Sequence, residues 1–112
     1  MITVTLTREG DTLSLRLAGH AGYDVPGKDI VCASATILAY TTAQLVLEME
    51  ACGRLKESPL IRLDEGDALV EVECKDQRSL EEAKRIMHFA KAGYSMLQNT
   101  YPEYIKFVIN EV

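Results

Sequence analysis

The sequence has no pair of cysteines or histidines at metal-ligand spacing, no internal repeat, no low-complexity tract and no basic stripe interleaved with aromatics. Each absence removes a class. Without Cys-x-x-Cys or His-x-x-x-His, the two histidines and three cysteines carry little zinc signal, and no metal or cofactor is expected. Without a basic stripe, and with a net charge of −5, no nucleic-acid partner is expected. The N-terminus opens on strand-like alternation rather than on a basic-then-apolar leader. Together with the odd thiol count, this predicts a reducing, cytoplasmic setting. No charged residue occurs from Ile30 to Leu47, a length at which a membrane span must be considered. Ser34, Thr36, Thr41, Thr42 and Gln44 interrupt that run. It reads as a helix buried on most sides within the protein, and no membrane partner is expected.

What is present fits one compact domain over residues 1–112, long enough to bury a core without metal or disulfide staples. Ile2, Val4 and Leu6 alternate with threonines, and Leu13, Leu15 and Leu17 share one face after the turn Arg8-Glu9-Gly10-Asp11. That is a β-hairpin. A Gly- and Pro-containing stretch from Ala18 to Lys28 predicts a mobile loop. Asp29 is placed to cap a helix from Ile30 to about Cys52, with Gly53 as its stop.

A second hairpin follows, with strands at Leu60–Leu63 and through Ala68, Val70, Val72 and Cys74, joined by Asp64-Glu65-Gly66-Asp67. Ser79-Leu80-Glu81-Glu82 has the capping-box pattern and is expected to open a second helix. Its apolar stripe is Leu80, Ala83, Met87, Ala90, Tyr94 and Leu97. Tyr104–Ile109 reads as a final strand after Pro102. The order ββαββαβ predicts an α+β domain, a mostly antiparallel sheet with two packed helices. Helix one carries more apolar surface than one sheet face can cover, and a homodimer is expected to cover the rest.

Cys32 is the residue with the clearest chemistry. Counted from Asp29, it is the third residue of the helix. A thiol there lies near unpaired N–H groups and the positive end of the helix dipole, which favours the thiolate. The same N–H groups are expected to hold an oxyanion during acyl transfer. His20, twelve residues earlier, follows the second strand, and the loop between is long enough to double back. An imidazole within reach of a thiol is the minimum for nucleophilic thiol catalysis. Asp29 and Asp24 are the nearest carboxylates to orient the imidazole, although capping is the simplest role for Asp29. A structural helix cysteine beside an incidental loop histidine fits the same residues. A monothiol redox sensor and a non-catalytic dimeric binding module are further readings. His88, beside Lys84 and Lys91, reads as a surface residue; Cys52 and Cys74 read as structural.

Gly19-His20-Ala21, followed by Gly27-Lys28-Asp29-Ile30-Val31-Cys32-Ala33, resembles the signature of the ribosomal-processing cysteine protease family, Prp. The resemblance implies Cys32 as nucleophile and His20 as its general acid/base. It implies supporting or substrate-binding roles for Gly19, Gly27, Asp29, Ala33 and Thr36. The family tends to place a serine four positions after the cysteine. Thr36 stands there in this sequence and keeps the hydroxyl with an added methyl. The implied substrate is the short N-terminal extension of a bacterial large-subunit ribosomal protein, the twenty-seventh of that series, removed after a phenylalanine. The resemblance also implies a homodimeric α+β fold, with the loop between His20 and Cys32 bordering the peptide groove. The binding-module alternative then becomes a ribosome-associated one.

Overall fold

The computed structural model describes residues 1–25 and 28–111. The elements run β1 (Ile2–Glu9), β2 (Thr12–Gly19), α1 (Ile30–Ala51), β3 (Leu60–Asp64), β4 (Asp67–Glu73), α2 (Gln77–Thr100) and β5 (Ile105–Glu111). One five-stranded sheet has the order β3-β4-β2-β1-β5. All pairs are antiparallel except β1 with β5, which is parallel. This is the expected α+β architecture.

Alternation along the strands sets the two faces of the sheet. Val4 pairs with Leu17 and with Phe107, and Leu15 pairs with Val70, so the apolar residues of neighbouring strands fall in register. Ile2, Val4, Leu13, Leu15, Leu17, Val70, Val72 and Ile105 are buried beneath the helices. Each such side chain removed from water contributes about 1.5–3 kcal/mol. The opposite face carries Thr3, Thr5, Ser14, Arg16, Glu71 and Glu73, polar side chains suited to water.

The α1 helix lays Val31, Ala35, Ala39, Ala43, Val46 and Met49 onto the core. Its alanines let the helix approach closely. Tyr94 of α2 is fully buried, and its hydroxyl donates to the Ala35 carbonyl at 2.9 Å, linking the two helices. The end of α1 follows the sequence reading. Gly53 has φ +70°, its N–H donates to Glu50, and the Arg54 N–H donates to Met49, a Schellman motif.

Two expectations are corrected. First, α1 is buried along one face rather than on most sides. It is long and apolar enough to span a bilayer, yet a third of its most apolar window is buried, and Ile37 and Tyr40 are 61% and 48% exposed. Its apolar residues encircle the helix, while a sheet can cover only one side. Second, α2 opens at Gln77, capped by Asp76 rather than by Ser79. Asp76 accepts the Ser79 N–H at 2.8 Å, and Ser79 Oγ accepts the Asp76 N–H at 3.1 Å. A carboxylate at the cap with a hydroxyl three residues on closes the box one turn earlier than Ser-x-x-Glu suggests.

Candidate active site

The thiol is placed by the start of α1. Asp29 is the N-cap, Ile30 the first helical residue and Cys32 the third, as the sequence predicts. Asp29 Oδ1 accepts the Val31 N–H at 3.0 Å and the Cys32 N–H at 2.9 Å. Its other oxygen accepts the Tyr23 N–H at 2.9 Å and the Asp24 N–H at 3.4 Å. One buried carboxylate therefore ties the helix start to the loop that follows His20. Burial raises the Asp29 pKa, but the four backbone donors, Cys32 foremost, outweigh it and hold the carboxyl below its ordinary value.

This arrangement corrects the expected oxyanion site. The N–H groups of Val31 and Cys32 serve the Asp29 carboxylate, and that of Ala33 donates to the Asp29 carbonyl at 3.0 Å. The cap takes up the N–H groups of the second and third helical residues, which an oxyanion beside the thiol would otherwise use. The donor found at the thiol is instead the Ala21 N–H, 3.5 Å from Cys32 Sγ. Strand end and helix start thus lie side by side.

The imidazole is placed by the end of β2. Gly19 has φ +95°, and a β-carbon there would stand 2.5 Å from the Met1 carbonyl oxygen, so no other residue fits. The Gly19 N–H donates to the Gly66 carbonyl at 2.9 Å. The exposed His20 ring then lies against Gly66, in the turn between β3 and β4. Among the described residues, no hydrogen bond joins the imidazole to the thiol, and neither Asp29 nor Asp24 bonds the ring. Asp24 Oδ1 accepts the N–H of Val25.

His20 and Cys32 line one groove of about 910 Å³. One wall is the first half of α1, including Ala33, Thr36, Ile37 and Tyr40; the other is the β3–β4 hairpin from Leu63 to Ala68. Thr36 sits one turn after Cys32, on the groove side. Asp24, Asp64, Glu65 and Asp67 also line the groove, and no lysine or arginine does so among the described residues. Such walls attract cationic segments. Gly27 lies outside the described residues. The start of the loop is anchored by Tyr23, whose ring meets Tyr101 and Tyr104 edge-on at 5.6 and 5.1 Å.

The other candidates lie apart from the groove. All three thiols are free. Cys52 caps the far end of α1, about 30 Å along the helix from Cys32, too far to resolve an oxidised thiol. Cys74 is buried, and desolvation pushes its thiol pKa up, an inert structural cysteine. His88 is exposed on α2. Among the described residues, no group of histidine, cysteine and carboxylate side chains is arranged to hold a metal ion.

Sequence reasoning missed the β3–β4 turn as a wall of the site, and the Ala21 N–H as the donor at sulfur. Gly66 was legible as a turn residue, but its place beside His20 depends on how β4 pairs with β2.

Solved structures of similar fold include the essential ribosomal processing protease Prp from S. aureus with a covalently linked product peptide. It is 24% identical, covers 97% of this chain and 99% of that chain, and has a TM-score of 0.73. The same protease with a substrate peptide is 22% identical over 97% of this chain and 99% of that one, with a TM-score of 0.69. A protein of Streptococcus mutans is 26% identical over 100% of this chain and 96% of that chain, with a TM-score of 0.68. No curated protein matches the chain. The model of the family described as cysteine protease Prp matches residues 1–106, nearly the whole length, and so the chain belongs to that family and is a cysteine protease.

Proposed function

We propose that the protein removes the N-terminal extension of a bacterial large-subunit ribosomal protein, the twenty-seventh of its series, with Cys32 as nucleophile and His20 as general acid/base. The observation that carries this reading is that one groove is lined by both a thiol in the first turn of a helix and the family's histidine. The S. aureus relatives of this fold are ribosomal processing proteases that bind substrate and product peptides. The groove is large enough for several peptide residues, and its acidic walls suit a basic segment.

In this reading, substrate binding brings imidazole and thiol together, and His20 takes the thiol proton. Cys32 Sγ attacks the scissile carbonyl carbon. The Ala21 N–H, already beside the sulfur, turns to the developing oxyanion. His20 then gives its proton to the leaving amine. Water, deprotonated by His20, hydrolyses the thioester and frees the thiol. Asp29 holds the thiol's helix start against the loop after His20, and Gly19 sets the direction in which His20 leaves its strand. Ala33 and Thr36 contact the peptide from α1, and Gly27 has a supporting or substrate-binding role. The exposed apolar side chains of α1 that do not line the groove, Leu47 among them, belong to the homodimer interface. The enzyme works in the cytoplasm, where its thiols stay reduced.

The test is direct. Wild-type protein is incubated with the ribosomal protein bearing its extension, beside Cys32→Ala and His20→Ala. Wild type is expected to shorten the substrate and both variants to leave it whole. An intact substrate with wild type, or cleavage by either variant, overturns the assignment. Solution mass at micromolar concentration tests the dimer, which a monomer would refute.

A further inference from the structure

We propose that Gly66 is a positioning residue for His20, a shelf on which the imidazole rests because the glycine has no side chain. The inference rests on reading His20 as the catalytic imidazole. A β-carbon at position 66 would stand 2.7 Å from His20 Nε2, 3.0 Å from Cε1 and 3.5 Å from Cδ2. The first of these lies well inside van der Waals contact, so ring and β-carbon cannot share the space. The shelf is tied to the strand end that carries His20. Ala18 pairs with Asp67 in the β2–β4 ladder, and the Gly19 N–H donates to the Gly66 carbonyl at 2.9 Å. The backbone of the turn is therefore held, while the ring is the far end of an exposed side chain. A substitution at 66 displaces the ring rather than the turn.

Gly66 also has φ +73°, which alone suits glycine in a hairpin turn. The two roles separate experimentally, because Gly10 in the β1–β2 turn has φ +61° with no atom within 4 Å of its would-be β-carbon. Gly10→Ala carries comparable backbone strain without touching His20. Gly66→Asn carries the β-carbon with less strain, since asparagine tolerates the left-handed region.

The experiment measures peptide cleavage and the His20 ring chemical shifts by NMR for wild type, Gly66→Ala, Gly66→Asn and Gly10→Ala. Both Gly66 variants are expected to lower kcat about 10- to 100-fold with KM within about threefold, the cost of misplacing a reacting group by roughly 1 Å. Both shift the His20 ring signals. Gly10→Ala lowers thermal stability and leaves the ring signals and kcat unchanged. Wild-type kcat and ring signals in Gly66→Asn, or equal losses in Gly10→Ala and Gly66→Ala, overturn the shelf. The ring signals do not need cleavage. If wild type leaves the peptide whole while the Gly66 variants still move the ring signals, the shelf stands and the substrate assignment falls.

Discussion

The two helices of this protein begin alike and end up with different tasks. Each is capped by an aspartate, Asp29 for α1 and Asp76 for α2, and each cap accepts the N–H of the third helical residue. In α2 that residue is Ser79. Its hydroxyl returns to the cap's own N–H, closing a reciprocal box with Ser79 buried and Asp76 at the surface. In α1 it is Cys32. A thiol is a poor acceptor, so the box stays open on that side. The spare oxygen of Asp29 reaches the N–H groups of Tyr23 and Asp24 instead, and the half-buried thiol faces the groove. The difference of one side chain separates a stability device from a reactive centre. A hydroxyl is satisfied within the helix start, whereas a thiol is left with chemistry to do.

Substitutions that make the two helix starts alike show what the thiol contributes. Cys32→Ser is expected to abolish cleavage, with a loss on the order of 10⁴-fold or more, because the nucleophile is removed. Its midpoint of thermal unfolding is expected to stay within about 5 °C of wild type, since serine can rebuild the box seen in α2. A large drop in thermal stability with correct activity would contradict the comparison. Next in size, His20→Ala is expected to lower cleavage by about 10²–10⁴-fold, the usual worth of a general acid/base. Alkylation of Cys32 near neutral pH should slow with it, measured in a Cys52→Ser background so that the exposed Cys52 does not contribute.

Asp29→Asn separates capping from the tie to the loop. Asparagine caps a helix as well as aspartate does, but its amide nitrogen cannot accept the Tyr23 and Asp24 N–H groups. Cleavage is expected to fall about tenfold, the scale of one lost hydrogen bond next to the reacting group. Asp76→Asn should leave kcat untouched; a parallel loss in both variants would mean that Asp29 is only a cap. The smallest effect is in pH. The Asp29 carboxyl titrates below its ordinary 3.8, so its bonds stabilise the fold above about pH 4 and are lost as pH falls through the lower folded value. The thermal midpoint of wild type should therefore fall more steeply on acidification than that of Asp29→Asn.

Much of the fold was legible because its signals are local. Alternation marked both hairpins, Asp29 marked the start of α1 and Gly53 its end, and the stripe from Leu80 to Leu97 marked α2. The failures share a cause. Ser79-x-x-Glu82 satisfies a local pattern, but Asp76 offers a better acceptor three residues earlier. The absence of charge from Ile30 to Leu47 reports hydrophobicity and not how much of it a sheet can cover. The helix-start N–H groups looked available because the sequence names the cap without saying which donors it consumes.

The seven elements, the helical position of Cys32 and the signature with His20 twelve residues before it are written in the chain. These follow from periodicity and from residue chemistry over a few neighbouring positions. What each group touches is set by packing. The imidazole meets Gly66 because β2 and β4 pair with Ala18 opposite Asp67, a register set by which faces bury Leu15, Leu17 and Val70. The thiol meets the Ala21 N–H because Asp29 binds loop and helix with one carboxylate. Contacts between residues far apart in sequence depend on how buried faces choose their partners, and that choice is made by the packed molecule as a whole.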